Sequence, residues 1–251
     1  RLNSLRRSQS GSRDSRRHRR CRSRCRNSRG ADNFLNEVKD LVMIKETISR
    51  LNNELPATVK LVAVSKFHPF ESIEEAYAAG QRIFAESRPQ ELQAKVRRLE
   101  EIRAERGDPA YMSDIQWHFI GHLQTNKLKM VLPYVSLIQS VDSERLLFAI
   151  DSWGAANDKV LDVLLEPHVA AEETKQGFSP EEIYDVLNHS SDYGHICFKG
   201  IMGMATFTDD PKVIRKDFAS LRLIYDTCRS RYPSLADDFC EFSIGMSDDY
   251  P

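Results

Sequence analysis

This chain of 251 residues contains no Gly-x-Gly-x-x-Gly, no Walker phosphate loop and no His-Glu-x-x-His. A dinucleotide enzyme, a P-loop nucleotidase or a zinc hydrolase therefore lacks its usual marks. No apolar run approaches the roughly 20 residues of a membrane helix. Cysteine is sparse: Cys21 and Cys25 lie near the start, and Cys197, Cys228 and Cys240 are scattered. No second pair completes a zinc pattern, and the odd number argues against a disulfide framework. The expectation is a reducing, cytoplasmic setting with no metal site.

A net charge near zero conceals a split. Residues 1–30 hold twelve arginines, no lysine and one acid, Asp14, with Leu2 and Leu5 as their only large aliphatics. The remainder is correspondingly acidic. Such an Arg/Ser segment buries no core and is expected to be disordered. It reads in three ways. As a nucleic-acid arm it would neutralise phosphates, but it lacks aromatics to stack on bases. As a transit peptide it has the composition but no apolar face. The start at Arg1 rather than Met favours the third, a segment that is not native. The expected division is an arm over 1–30 and one α/β domain over 31–251.

What the rest contains is alternation. Phe34, Leu35, Val38, Leu41, Val42, Ile44, Ile48 and Leu51 recur at helical spacing from Asp32 to about Leu51. Short β-rich runs then alternate with helical segments. The runs are Leu61–Val64, Arg82–Glu86, Ile115–Gly121, Ser136–Ser140, Val160–Glu166 with an extension to Val169, His195–Met204 and Phe239–Ser247. Among the helices, Gln90–Glu105 carries Leu92, Val96, Leu99 and Ile102 on one side, and Pro211 to about Arg231 is long. Gly80 reads as a helix C-cap, and Ser179-Pro180-Glu181-Glu182 as a helix start. Seven alternations at roughly 30-residue intervals imply a parallel sheet. A (β/α)8 TIM-type barrel is the leading fold and a doubly wound open sheet the second. No sequence follows Pro251 to supply an eighth strand, so the barrel is expected to be unclosed, with exposed edges.

In a barrel the carboxyl ends of the strands share one rim. Lys66, after the first run, is a candidate for imine formation with an aldehyde, although a lysine at a strand end is also an ordinary surface residue. Ser243-Ile-Gly-Met-Ser247 has the small residues of an anion cup, or simply of a turn. His118 reads equally as a core histidine beside Trp117, Glu86 as a loop brace, and His122 as a solvated side chain. A reactive lysine and a phosphate cup on one rim suggest pyridoxal 5'-phosphate (PLP).

Six segments carry a closer likeness: Ala63–Lys66, Phe84–Glu91, Trp117–Lys127, Glu173–Gly177, Lys199–Met204 and Gly245–Asp248. Together they make the chain from about Phe34 onward resemble the YggS/PROSC pyridoxal phosphate homeostasis proteins. The resemblance implies a fold type III PLP-binding barrel, related to the cofactor domain of alanine racemase and ornithine decarboxylase but without their second domain. It implies a Schiff base on Lys66, with Ser87, Ser243, Gly245, Met246 and Ser247 lining the cofactor, and no catalytic residues. The expected function is PLP homeostasis by a monomer that holds the cofactor or delivers it to PLP-dependent apo-enzymes. The alternatives are a PLP-dependent racemase or decarboxylase, which needs a second proton-transfer group, and nucleic-acid binding by the arm. Ala85-Glu-Ser-Arg88 departs from the family's Gly-Glu-Asn-Tyr. The family's Arg-x-Gly-Thr strand, which completes the phosphate site, is absent, so weak PLP binding is expected of this chain as it stands.

Overall fold

β-Branched and aromatic runs bounded by Gly, Pro and Asp favour strands, and in the computed structural model all seven become parallel neighbours. The structure describes residues 43–168 and 176–246. The strands are β1 (Ala63–Val64), β2 (Ile83–Glu86), β3 (Gln116–Phe119), β4 (Leu137–Val141), β5 (Leu161–Leu165), β6 (Ile196–Gly203) and β7 (Glu241–Ile244). The helices are α1 (43–54), α2 (Phe70–Ala78), α3 (Pro89–Arg106), α4 (Leu128–Val131), α5 (Glu144–Asn157), α6 (Pro180–Asn188) and α7 (Pro211–Arg231).

The strand order runs β1 to β7 without reversal. A doubly wound sheet reverses at its switch point, so the second sequence reading is excluded and the barrel winding holds. The sheet curls until its ends approach: Lys60, just before β1, forms an ion pair with Glu241 at the start of β7. Among the described residues no strand lies between β1 and β7, so the sheet is an unclosed barrel of seven strands. No described helix is long and apolar enough to cross a membrane.

Local chemistry sets the helix ends. Ser179 and Glu182 form a reciprocal capping box at α6, with Pro180 in its first turn. Asp210 caps α7 ahead of Pro211, and Gly107 closes α3 in the left-handed region at φ +63°. The helices cover the outer face of the sheet. Phe84 and Trp117 meet there at 6.0 Å between ring centroids, beside Phe119 and Ile138. Leu92, Leu99, Leu147, Ile150, Ile183 and Leu221 close the layer from the helix side. Each such side chain contributes about 1.5–3 kcal/mol on burial.

Two expectations need correction. β1 has two residues, not the four of the run Leu61–Val64, and is an edge strand with Val64 44% exposed. β5 stops at Leu165, because Pro167 has no N–H for a ladder and makes only an isolated bridge to Phe178; Val169 lies outside the described residues. The expected side of α3 is the one that packs, with Leu92, Leu99 and Ile102 buried and Val96 half-buried against the core, and Lys95 is buried with them. Of the helix expected from Asp32 to about Leu51, only residues from 43 onward are described, and the arm over 1–30 lies outside the described residues.

Candidate functional site

Strand register sorts the side chains. Val64 pairs with Ala85, Ala85 with His118, and Met202 with Ser243, while the alternate residues Phe84, Trp117 and Phe119 go to the helices. The face away from the helices carries polar groups among the apolar ones. Ser243 Oγ donates to Gln139 Oε1 at 2.7 Å, and Gln139 Nε2 donates to His118 Nδ1 at 2.7 Å. This chain joins β7, β4 and β3 across the concave side and places the His118 proton on Nε2. Burial holds the imidazole neutral, its pKa pushed down to about 4, with Lys60 adding to the depression and Glu241 opposing it. Of the two readings of His118, the core histidine is the one observed.

Lys66 stands two residues past β1 and Ser87 directly follows β2, Lys66 exposed and Ser87 half-buried. Among the described residues nothing pairs with the Lys66 ammonium. The other lysines around the sheet are engaged: Lys60 with Glu241, Lys95 with Glu86, Lys199 with Asp238 at 2.8 Å, and Lys159 with the Leu132 carbonyl at 2.7 Å. Gly245 follows β7 at φ +88°, a conformation natural to glycine, and Met246 beside it is exposed. Ser247 lies outside the described residues. Ser243 has its only proton committed to Gln139, so it meets an incoming anion as a donor only after turning.

Gly121 brings two rim loops together. A methyl group there would stand 2.1 Å from the Ser87 carbonyl oxygen. Gly121→Ala is expected to lower stability by about 1–3 kcal/mol through overpacking, read as a drop in thermal midpoint. An unchanged midpoint would show that the loops separate freely.

The turn around Lys66 is tied to its neighbours. Ser65 donates its N–H to the Ala85 carbonyl at 3.0 Å and its hydroxyl to Glu86 Oε1 at 2.6 Å. Lys95 Nζ donates to the Ser65 carbonyl at 2.5 Å and forms an ion pair with Glu86, whose carboxylate is 0% exposed. Phe67 stands at φ +65°, an uncommon conformation for an aromatic residue. Its N–H donates to Glu91 Oε2 at 2.9 Å. Glu86 is thus more than a loop brace.

A second cluster sits at the ends of β3 to β5. His122 Nδ1 lies 2.8 Å from Asp142 Oδ2, so His122 is paired and not merely solvated. Ser143 Oγ donates to the other Asp142 oxygen at 3.0 Å. Burial, and then the nearby Asp142 charge, push the Glu166 carboxyl up to about 7, with His122 opposing. His168 Nδ1 approaches the Gln176 carbonyl at 3.0 Å. Among the described residues no group of three His, Cys, Asp or Glu side chains could hold a metal ion.

Sequence reasoning missed Lys95, Gln139 and Glu166 as organised groups. Two had a signal. Lys95 stands three residues after Leu92 and four before Leu99, on the apolar stripe of α3, where a charge demands a buried partner. Gln139 interrupts the apolar run Leu137-Ile138 in β4.

Comparison with known proteins adds the lineage. The family described as alanine racemase, N-terminal domain, matches residues 40–249. The pyridoxal phosphate homeostasis protein of Haemophilus influenzae is 31% identical over 206 residues, 82% of each chain. That of Aquifex aeolicus is 33% identical over 191 residues, 76% of this chain and 78% of its own. PipY of Synechococcus elongatus PCC7942, solved without PLP, superposes with a TM-score of 0.70 at 27% identity, covering 83% of this chain and all of PipY. Its PLP-bound form gives 0.66. By sequence and by fold alike, the chain belongs to the pyridoxal phosphate homeostasis protein family, built on the alanine racemase N-terminal domain barrel.

Proposed function

We propose that this protein binds pyridoxal 5'-phosphate and serves in its homeostasis, with the ε-amine of Lys66 as the covalent anchor. The observation that carries the reading is the exposed, unpaired Lys66 at the carboxyl end of β1, where the barrel rim gathers its chemistry, in a structure similar to one solved with PLP bound. Lys66 would hold the cofactor through its ε-amine at the aldehyde carbon, with the carbonyl oxygen released as water. The donor set fits the group: an available amine, the Ser87 and Ser243 hydroxyls, and the backbone of Gly245, with Met246 and Ser247 following. When bound, PLP supplies an electrophilic carbonyl and an anionic phosphate; the chain supplies an amine to hold the first and small residues to admit the second.

The same reading takes the protein as a carrier without catalytic turnover, cytoplasmic and monomeric, passing the cofactor to PLP-dependent apo-enzymes. The barrel is the functional domain, with the Arg/Ser segment over 1–30 outside it. The test is to titrate the full chain with PLP, reduce with borohydride and map the modified peptide by mass spectrometry. A pyridoxyl mass on Lys66 is the expected result. Label on another lysine, or none at saturating PLP, overturns the assignment.

A further inference from the structure

One face of α3 meets the turn that carries Lys66 at three points. Arg88, Glu91 and Lys95 recur at three- and four-residue spacing and so lie along one side of the helix. Lys95 reaches the carbonyl of Ser65, the residue before Lys66. Glu91 accepts the N–H of Phe67, the residue after it. Arg88 lies over the Phe67 ring at 4.5 Å and is paired with Glu91 at 3.4 Å.

We infer that Glu91 and Lys95 are positioning residues for Lys66, fixing the backbone on both sides of it so that its amine is set at the barrel mouth before any cofactor arrives. The inference rests on the reading of Lys66 as the PLP lysine.

Three features support it. Phe67 holds a left-handed conformation without being glycine, and such a state persists only where its surroundings enforce it. Glu91 is the group that does so, by holding the N–H that this conformation presents.

Ser65, on the other side, is bonded through its N–H, its hydroxyl and its carbonyl, and the carbonyl also receives the His68 N–H at 3.0 Å. The side chain of Lys66 stays exposed while its backbone is held. Cofactor capture then needs little ordering of the loop, which saves affinity otherwise spent on entropy.

The Lys95–Glu86 pair is the third feature. It is buried, and an apolar pair of equal volume commonly serves stability as well. Its bonds to both Ser65 oxygens give it a positional task that an apolar pair could not perform.

The experiment uses the full chain carrying Glu91→Ala, Glu91→Gln, or Lys95→Met together with Glu86→Gln. The paired change leaves no lone buried charge. Amide hydrogen exchange at Phe67 and His68 is measured without PLP, and PLP affinity by absorbance of the imine. For Glu91→Ala and for the paired variant, exchange about tenfold faster and PLP binding about tenfold weaker are expected, with Glu91→Gln close to the unaltered chain because its amide oxygen accepts the same N–H. Unchanged exchange in both variants overturns the inference. Faster exchange with undiminished PLP affinity overturns it as well, since α3 would then steady the turn without presenting the amine. Failure of the unaltered chain to capture PLP sinks the Lys66 reading and the inference with it, a result distinct from capture that the variants leave intact.

Discussion

Replacing Lys66 with alanine is expected to abolish borohydride-reducible capture of PLP and to weaken its binding at least about a hundredfold, roughly 2.7 kcal/mol. Among the described lysines near β1, the Lys66 amine is the one not held by a partner. On the proposed reading, what remains is a phosphate held by Ser243, Gly245 and their neighbours, and Ser243 must first release Gln139. The neighbouring lysines are poor substitutes. Lys60 and Lys95 are each held by a carboxylate, and Lys95 is buried behind β2. Because the Lys66 side chain is exposed and unpaired, its removal should leave the thermal midpoint within the small range of surface changes, about 0.5 kcal/mol. Loss of binding can then be separated from loss of fold. Lys66→Arg serves as a charge-preserving control that forms no stable imine. The measurement is absorbance titration followed by reduction and peptide mapping. A reduced adduct at equal yield in the alanine variant, or an affinity within twofold of the unaltered chain, defeats the assignment.

Local pattern reveals an element's existence better than its surroundings. The bounds of α7 were legible because Asp210-Pro211 opens the helix chemically and its apolar spacing continues to Cys228. The capping box of α6 was equally plain. Sequential parallel pairing followed from the steady alternation of runs and helices, and its unreversed order separated barrel from doubly wound sheet only once pairing was seen. β1 misled because an apolar run does not disclose whether a neighbour lies on both sides. Lys95 misled for the opposite reason: in a helix as charged as α3, periodicity marks a face but does not say which charge crosses it to meet Glu86 on β2. The Lys66, Ser87 and Ser243 positions were legible as strand ends. Which of their protons are already committed was not, because the partner of Ser243 lies 104 residues away.

That limit is greatest for two titrating groups, buried His118 and half-buried Glu166, and these define the last expected result. His118 titrates at about 4 when folded against 6.5 when exposed, so its neutral burial contributes stability fully present above 6.5 and lost as pH falls through 4. Glu166 titrates at about 7 against 4.5, so its contribution is fully present below 4.5 and lost as pH rises through 7. Shifts of this size are each worth about 3 kcal/mol. In the window between, the two slopes oppose and nearly cancel, which should leave the unaltered protein with a flat stability profile from about pH 4.5 to 6.5 from these two groups. Glu166→Gln removes one of them. Glutamine resembles the protonated acid, so at pH 4.5 the variant should match the unaltered chain, and at pH 8 it should exceed it by about 3 kcal/mol, as judged from urea midpoints at each pH. The His118 slope then stands alone, and the variant's stability should climb between pH 4 and 6.5. The pair His122–Asp142 remains in place in both chains, so Asp142, whose charge raises Glu166, is held constant across the comparison. An increment of the same size at both pH values would mean that Glu166 acts through packing and not through its proton.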